Sequence, residues 1–195
     1  VAKAQPIPGL RADTPYARAA AATVRVRADE LFAQADGVLD TERIERVHGM
    51  RVATRRLRAV LEIYAPCFPK DEGRAVLRDV KRLADALGAR RDPDVQLEGL
   101  ERFTASLTAE DRPGLEAFMD EIREEQRAGN ETLSAALATL DRDGLRRRVD
   151  ALVAAAEERA GAADAEAADG AAADADHAAA YPEAPTTGDG AGETA

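Results

Sequence analysis

The sequence predicts an all-α protein, an antiparallel helical bundle of about six helices followed by a disordered acidic C-terminal tail. Three observations carry this. Alanine, leucine, glutamate and arginine dominate, whereas aromatics are 4% and tryptophan is absent, a composition that favours helix over sheet. Apolar residues recur at helical spacing, and no stretch alternates as a strand would. The breaks between periodic segments are short, as in antiparallel bundles. A chain of 195 residues is long enough to bury one sizeable core.

The elements follow in order. Residues 1–13 hold Pro6, Pro8 and Gly9 and read as an irregular arm. Thr14-Pro15 reads as a helix start, because threonine can cap and proline tolerates the first helical position. Helix one then runs to about Ala35 and stops before Gly37. Asp40 and Thr41 are candidate caps for helix two, which ends near Pro66. Helix three is expected over 71–87, with Gly88 as its stop. Asp92-Pro93 opens helix four, to about Leu107. Helix five runs from Asp111–Gly114 to about Leu140, with Gly129-Asn130 as an expected break or kink. Helix six covers about 143–159. From Gly161 the chain is Ala, Asp, Gly, Pro and Thr with almost no large apolar side chain, so 161–195 reads as a disordered tail and 14–160 as the helical domain.

Charge is unevenly distributed. The chain totals −10, but 161–195 contribute eight acids and no Lys or Arg, leaving −2 for the rest. Residues 43–91 carry 13 Lys plus Arg against 6 Asp plus Glu, a local +7. The total alone would exclude polyanionic partners; the distribution reverses that. Cys67 is the single cysteine, so no intrachain disulfide forms, and no signal peptide or long apolar run is read. A cytoplasmic protein without membrane association is expected.

The basic segment is ordered. At about 100° per residue, His48, Arg51, Arg55 and Arg58 fall within an arc of about 80°. Val47, Met50, Thr54, Leu57, Leu61 and Tyr64 occupy an arc about 120° away. The cationic strip therefore borders the core-facing strip, where it would line a groove. Helix three repeats this: Leu77, Val80, Ala84 and Leu87 form its apolar stripe, Arg74, Arg78 and Lys81 a row beside it, and Arg90 and Arg91 follow. Such cations repel one another unless paired, and a polyanion would neutralise them through the bidentate hydrogen bonds arginine makes to phosphate. A solvated face with local ion pairs is the plainer explanation of such rows. Arg56 and Arg82 lie off the strips and are expected at the surface. Asp92 is expected to act first as a helix cap.

Two ordered stretches, VHGMRVATRRLRAVLEIY at 47–64 and LRDVKRLADALGARRDPDV at 77–95, resemble the CHAD domain, the conserved histidine α-helical domain. Val47, His48, Met50, Arg51, Val52, Arg55, Arg56, Leu57 and Arg58 fit its V-H-x-M-R-V-x-x-R-R-L-R helix. Leu87, Gly88, Arg91, Asp92, Asp94 and Val95 fit its L-G-x-x-R-D-x-D-V ending. The resemblance implies an all-helical fold that binds inorganic polyphosphate through a basic cavity without catalysis and associates with polyphosphate granules. Carried over by position, it implies His48, Arg51, Arg55, Arg58, Lys81, Arg90 and Arg91 as ligand residues, with Arg56, Arg74 and Arg78 secondary. Family members usually hold two related halves; no second histidine-arginine helix follows residue 107. A homodimer that restores the missing half is therefore one expectation, a monomer with an open groove the other.

Two further functional classes compete with this one. A phosphate- or metal-handling enzyme would use His48 as phosphoacceptor or ligand, but no Gly-rich phosphate loop is present and the pattern gathers neither zinc ligands nor a base beside His48. No catalytic residue, cofactor or metal is expected. A nucleic-acid-binding helical domain would use the basic rows, but aromatics for stacking are few and the tail is acidic, which disfavours nucleic acid as partner.

Overall fold

A computed structural model describes residues 3–40 and 44–180. Among them are α1 (Tyr16–Ala33), α2 (Ile44–Ile63), a single 3-10 turn (Ala65–Cys67), α3 (Lys70–Thr104), α4 (Arg112–Thr139) and α5 (Arg142–Ala180), and no strand. The protein is all-α, as the composition and spacing predict. Among the described residues, those up to Ala160 form one compact unit and those from Gly161 a second.

The principal core of the first unit is a seam of small and branched side chains. Ala20, Val24 and Leu31 of α1, Val47, Leu57 and Leu61 of α2, Val76, Val80, Leu83 and Leu87 of α3, Leu133 of α4, and Leu145, Val149 and Leu152 of α5 are all buried within it. The α2 stripe is the expected one: Val47, Met50, Thr54, Leu57 and Leu61 are buried and Tyr64 half-buried. The α3 stripe is rotated from expectation. Val76, Val80, Leu83 and Leu87 fill the core, while Leu77 and Ala84 sit half-buried at its edge.

Several boundaries differ from the sequence expectation, each for a physical reason. Thr14 does not cap α1: its Oγ1 accepts a hydrogen bond from Arg11 N (2.8 Å), and Pro15 occupies the cap position. Thr41 lies outside the described residues. The expected third and fourth helices are one 35-residue α3 that runs through Gly88 and Pro93. Proline lacks the N–H that would bond the carbonyl four residues back, which leaves Ala89 O without that partner. At this turn Gly129 of α4 packs against α3; a Cβ on Gly129 would stand 2.6 Å from Ala89 O. Gly129-Asn130 therefore neither breaks nor kinks the chain out of helix; it lets α4 dock. Finally, α5 continues to Ala180 instead of giving way to irregular chain at 161. Alanine has the highest helix propensity, and an isolated glycine such as Gly170 costs only about 1 kcal/mol relative to alanine.

The N-terminal arm is irregular, as expected, but tied down. Glu30, buried on α1, accepts hydrogen bonds from Gln5 N (2.5 Å) and Arg27 Nη1 (2.6 Å), and Arg27 Nη2 bonds Gln5 O (2.8 Å). Burial pushes the Glu30 carboxyl up, but the Gln5 N–H and the Arg27 and Arg56 charges outweigh it and hold it below the usual carboxylate range.

Candidate functional site

Helices α2 and α3 run antiparallel along one face, and an open groove of about 700 Å3 lies between them. Its α2 wall is His48, Arg51, Val52, Arg55 and Arg58; its α3 wall and floor are Ala84, Asp85, Gly88, Ala89, Arg91, Asp92 and Val95. The α2 wall follows directly from the sequence: a strip bordering the buried stripe emerges where α2 meets its neighbour. The floor is open because α3 presents only small residues there. Gly88, expected to end a helix, instead keeps this floor low; a Cβ on it would come 3.6 Å from Arg51 Nη1.

The cations fall into paired and unpaired sets. Arg51 Nη1 pairs with Asp92 Oδ1 across the groove at 3.0 Å, so Asp92 serves as a counter-ion and not as a helix cap. Towards the other end, Glu62 Oε1 accepts from both Arg58 Nε and Lys81 Nζ, each at 3.2 Å. Hydrogen bonds from Lys81 and Arg58 hold the Glu62 carboxyl below its ordinary range. Arg55 and Arg91 have no carboxylate within ion-pair distance among the described residues, and Arg91 Nη1 is buried without a hydrogen-bond partner. A buried guanidinium nitrogen without an acceptor is costly, and an anion in the groove is one way to satisfy it.

The expected site residues do not all converge. His48, Arg51, Arg55, Arg58 and Arg91 line the groove together. Lys81 is half-buried beside Arg58, tied to Glu62. Arg74 and Arg78 are exposed towards the start of α3 and do not line the groove. Arg56 projects away from it, within 3.9 Å of Glu30 Oε2 on α1. Arg90 is the clear correction. It is 0% exposed, ion-paired with Asp94 and hydrogen-bonded through Nε to Asn130 Oδ1 (3.3 Å). One residue along α3 is a rotation of about 100°, which sends Arg90 into the α3–α4 interface while Arg91 faces the groove. The run Arg90-Arg91 looks uniform in sequence, and only the phase of the α3 stripe separates them.

Two α4 residues escaped the sequence reading. Gln126 Nε2 donates to Asp94 Oδ1 (2.6 Å), and Asn130 Nδ2 donates to Leu39 O (3.2 Å) in the segment before α2. Their i,i+4 spacing around Gly129 was a signal that both lie on one helix face.

Among the described residues, no three His, Cys, Asp or Glu side chains gather where they could hold a metal ion, and no helix is long and apolar enough to cross a membrane.

The sequence model of the CHAD domain matches residues 22–193. The chain is 32% identical over 133 residues to the uncharacterized protein Rv2226 of Mycobacterium tuberculosis, an alignment covering 67% of this chain and 25% of that protein. The chain thus spans about a quarter of that relative's length. No solved structure matches it significantly.

Proposed function

The chain belongs to the CHAD domain family, which is associated with polyphosphate and triphosphate binding, and from that premise we propose that the α2–α3 groove binds inorganic polyphosphate without acting on it chemically. The observation that carries this reading is the line of His48, Arg51, Arg55, Arg58 and Arg91 on one open groove, with Arg55 and Arg91 lacking a carboxylate partner among the described residues and Arg91 Nη1 buried and unsatisfied there. A linear polyanion offers repeated acceptors along its length, so it can meet several guanidinium forks at once. Recognition is then electrostatic, like the backbone component of nucleic-acid binding. Lys81 joins the contact set when a phosphate displaces Glu62. The functional role is capture of polyphosphate, including at polyphosphate granules.

Competition tests the reading. Polyphosphate and duplex DNA are titrated against the protein at one stated salt concentration, and the polyphosphate is recovered and its length measured. The expected result is binding of polyphosphate, weak competition by duplex DNA, and no shortening of the chain. Equal binding of DNA would point to non-specific charge attraction; shortened polyphosphate would make the protein an enzyme.

A further inference from the structure

Behind the groove, α4 carries a polar network that ties α3 to Leu39, ahead of α2. Asn130 receives Arg90 Nε on its Oδ1 (3.3 Å) and donates from Nδ2 to Leu39 O (3.2 Å). Arg90 lies on α3, one residue before the groove-lining Arg91. Leu39 belongs to the segment that delivers α2, nine residues before His48. One turn away on α4, Gln126 Nε2 holds Asp94 Oδ1 (2.6 Å), and Asp94 is in turn paired with Arg90. Between them Gly129 is buried against the Ala89 carbonyl, where a Cβ would approach to 2.6 Å. The contacts with Ala89, Arg90 and Asp94 all fall on the stretch of α3 that carries Arg91 and Asp92.

The chemistry is expensive if its only purpose is adhesion. Arg90 and Asp94 are 0% and 2% exposed, and among the described residues Arg90 Nη2 and Asp94 Oδ2 have no hydrogen-bond partner. Apolar residues of like volume would hold two helices together at least as well. A directional polar network instead fixes rotation and register. Among the described residues, the Asn130 amide bonds both α3, through Arg90 Nε, and the chain ahead of α2, through Leu39 O.

We infer that Asn130 is a positioning residue for the groove: it touches no ligand, and it fixes Arg91 opposite His48 and Arg51 by bridging Arg90 and Leu39 O. This rests on the polyphosphate reading only for its binding readout, and the test separates the two. First, spin labels are placed on the two groove walls through Val52→Cys and Val95→Cys; the native Cys67 is buried and does not compete for label. Asn130→Ala should broaden or lengthen the distance distribution, with no ligand present. If Asn130→Ala does not fold, Asn130→Asp keeps an acceptor for Arg90 while losing the donor to Leu39, and the same change is expected. Second, a double-mutant cycle is measured by polyphosphate titration. Asn130→Ala should weaken binding about threefold or more in the parent protein and far less in an Arg91→Ala background. It should be additive with Lys81→Ala, since Lys81 lies about 13 Å along α3 from Arg90. An unchanged label distance, or equal additivity with Arg91→Ala and Lys81→Ala, overturns the inference. If the parent protein fails to bind polyphosphate, the functional reading falls and the label distance alone decides the role of Asn130.

Discussion

Arg51 Nη1 and Asp92 Oδ1 meet at 3.0 Å across the mouth of the groove, joining α2 to α3 through two exposed side chains. The pair is a resident counter-ion contact that a bound polyanion must break. With both partners partly solvated, the contact itself contributes only about 0.2–1 kcal/mol to stability. Asp92→Asn should therefore change melting temperature little and tighten polyphosphate binding several-fold at low salt. Weaker binding in Asp92→Asn would show that Asp92 orients Arg51 for the ligand and does not compete with it.

Glu62 plays the same part for Arg58 and Lys81, and its protonation gives the effect a sign. Its carboxyl is held below the ordinary range by hydrogen bonds from Lys81 and Arg58. The folded-state pKa is thus lower than the unfolded one, so the contribution to stability is present above the unfolded carboxylate pKa and is lost as pH falls through the folded value. Glu62→Gln should be slightly less stable than the parent near neutrality, and the difference should shrink below about pH 4.5. Thermal melts across that range check it; a gap that widens on acidification would contradict it. Near neutrality Glu62→Gln should also bind polyphosphate more tightly.

Arg51→Ala and Arg55→Ala should each weaken polyphosphate binding about tenfold or more, the loss of a charge-assisted hydrogen bond of roughly 1.5–3 kcal/mol. Arg82→Ala should change it little, because Arg82 is exposed and lies outside the groove lining. Titration of the three variants at one salt concentration checks the ordering. Equal losses would mean diffuse attraction with no defined site.

Gly129 and Gly99 make a stability pair. Both are helical, and glycine to alanine inside a helix ordinarily stabilises by about 0.5–1 kcal/mol. Nothing lies within 4 Å of a Cβ at Gly99, so Gly99→Ala should follow that rule. At Gly129 the obstacle is backbone, Ala89 O at 2.6 Å and Arg90 Cα at 3.0 Å. Gly129→Ala should destabilise by about 1–3 kcal/mol as α4 is pushed off α3. Denaturant titration of both variants is the check; stabilisation by both would show that the helices separate freely.

The difference between these two glycines also marks how far the sequence could be read. The α2 strip was legible because its periodicity is local: the apolar and basic arcs are both set by 3.6 residues per turn, and the structure places them as expected. The continuity of α3 was not legible, because Gly88 and Asp92-Pro93 are strong local stop signals that tertiary packing overrides. Where α4 docks on the proline turn, a kilocalorie-scale propensity cost is offset by burial. Arg90 was misplaced for a related reason: two adjacent arginines differ only in helical phase, and the α3 stripe runs one residue earlier than its apolar side chains suggested. Asn130 had no phosphate-like signature, since it acts through its neighbours.

The single histidine-arginine helix leads to a prediction about assembly. Two copies about a twofold axis would set two groups of His48, Arg51, Arg55 and Arg58 across one cavity. Like charges would oppose this in the free protein, and a polyanion shared between the copies would offset the repulsion. Light scattering should show mass rising towards two chains on addition of short polyphosphate. A mass of one chain with full binding retained would establish the open groove of a monomer as the whole site.

The most direct test of the central claim is the salt dependence of polyphosphate affinity, compared between the parent protein and Arg91→Ala. The account predicts micromolar or tighter binding at low ionic strength, with log affinity falling linearly against log salt concentration. Loss of one phosphate contact in Arg91→Ala should make that slope shallower by roughly 0.7–0.9. No binding at low ionic strength, or a slope that Arg91→Ala leaves unchanged, would contradict the assignment of this groove as the polyphosphate site.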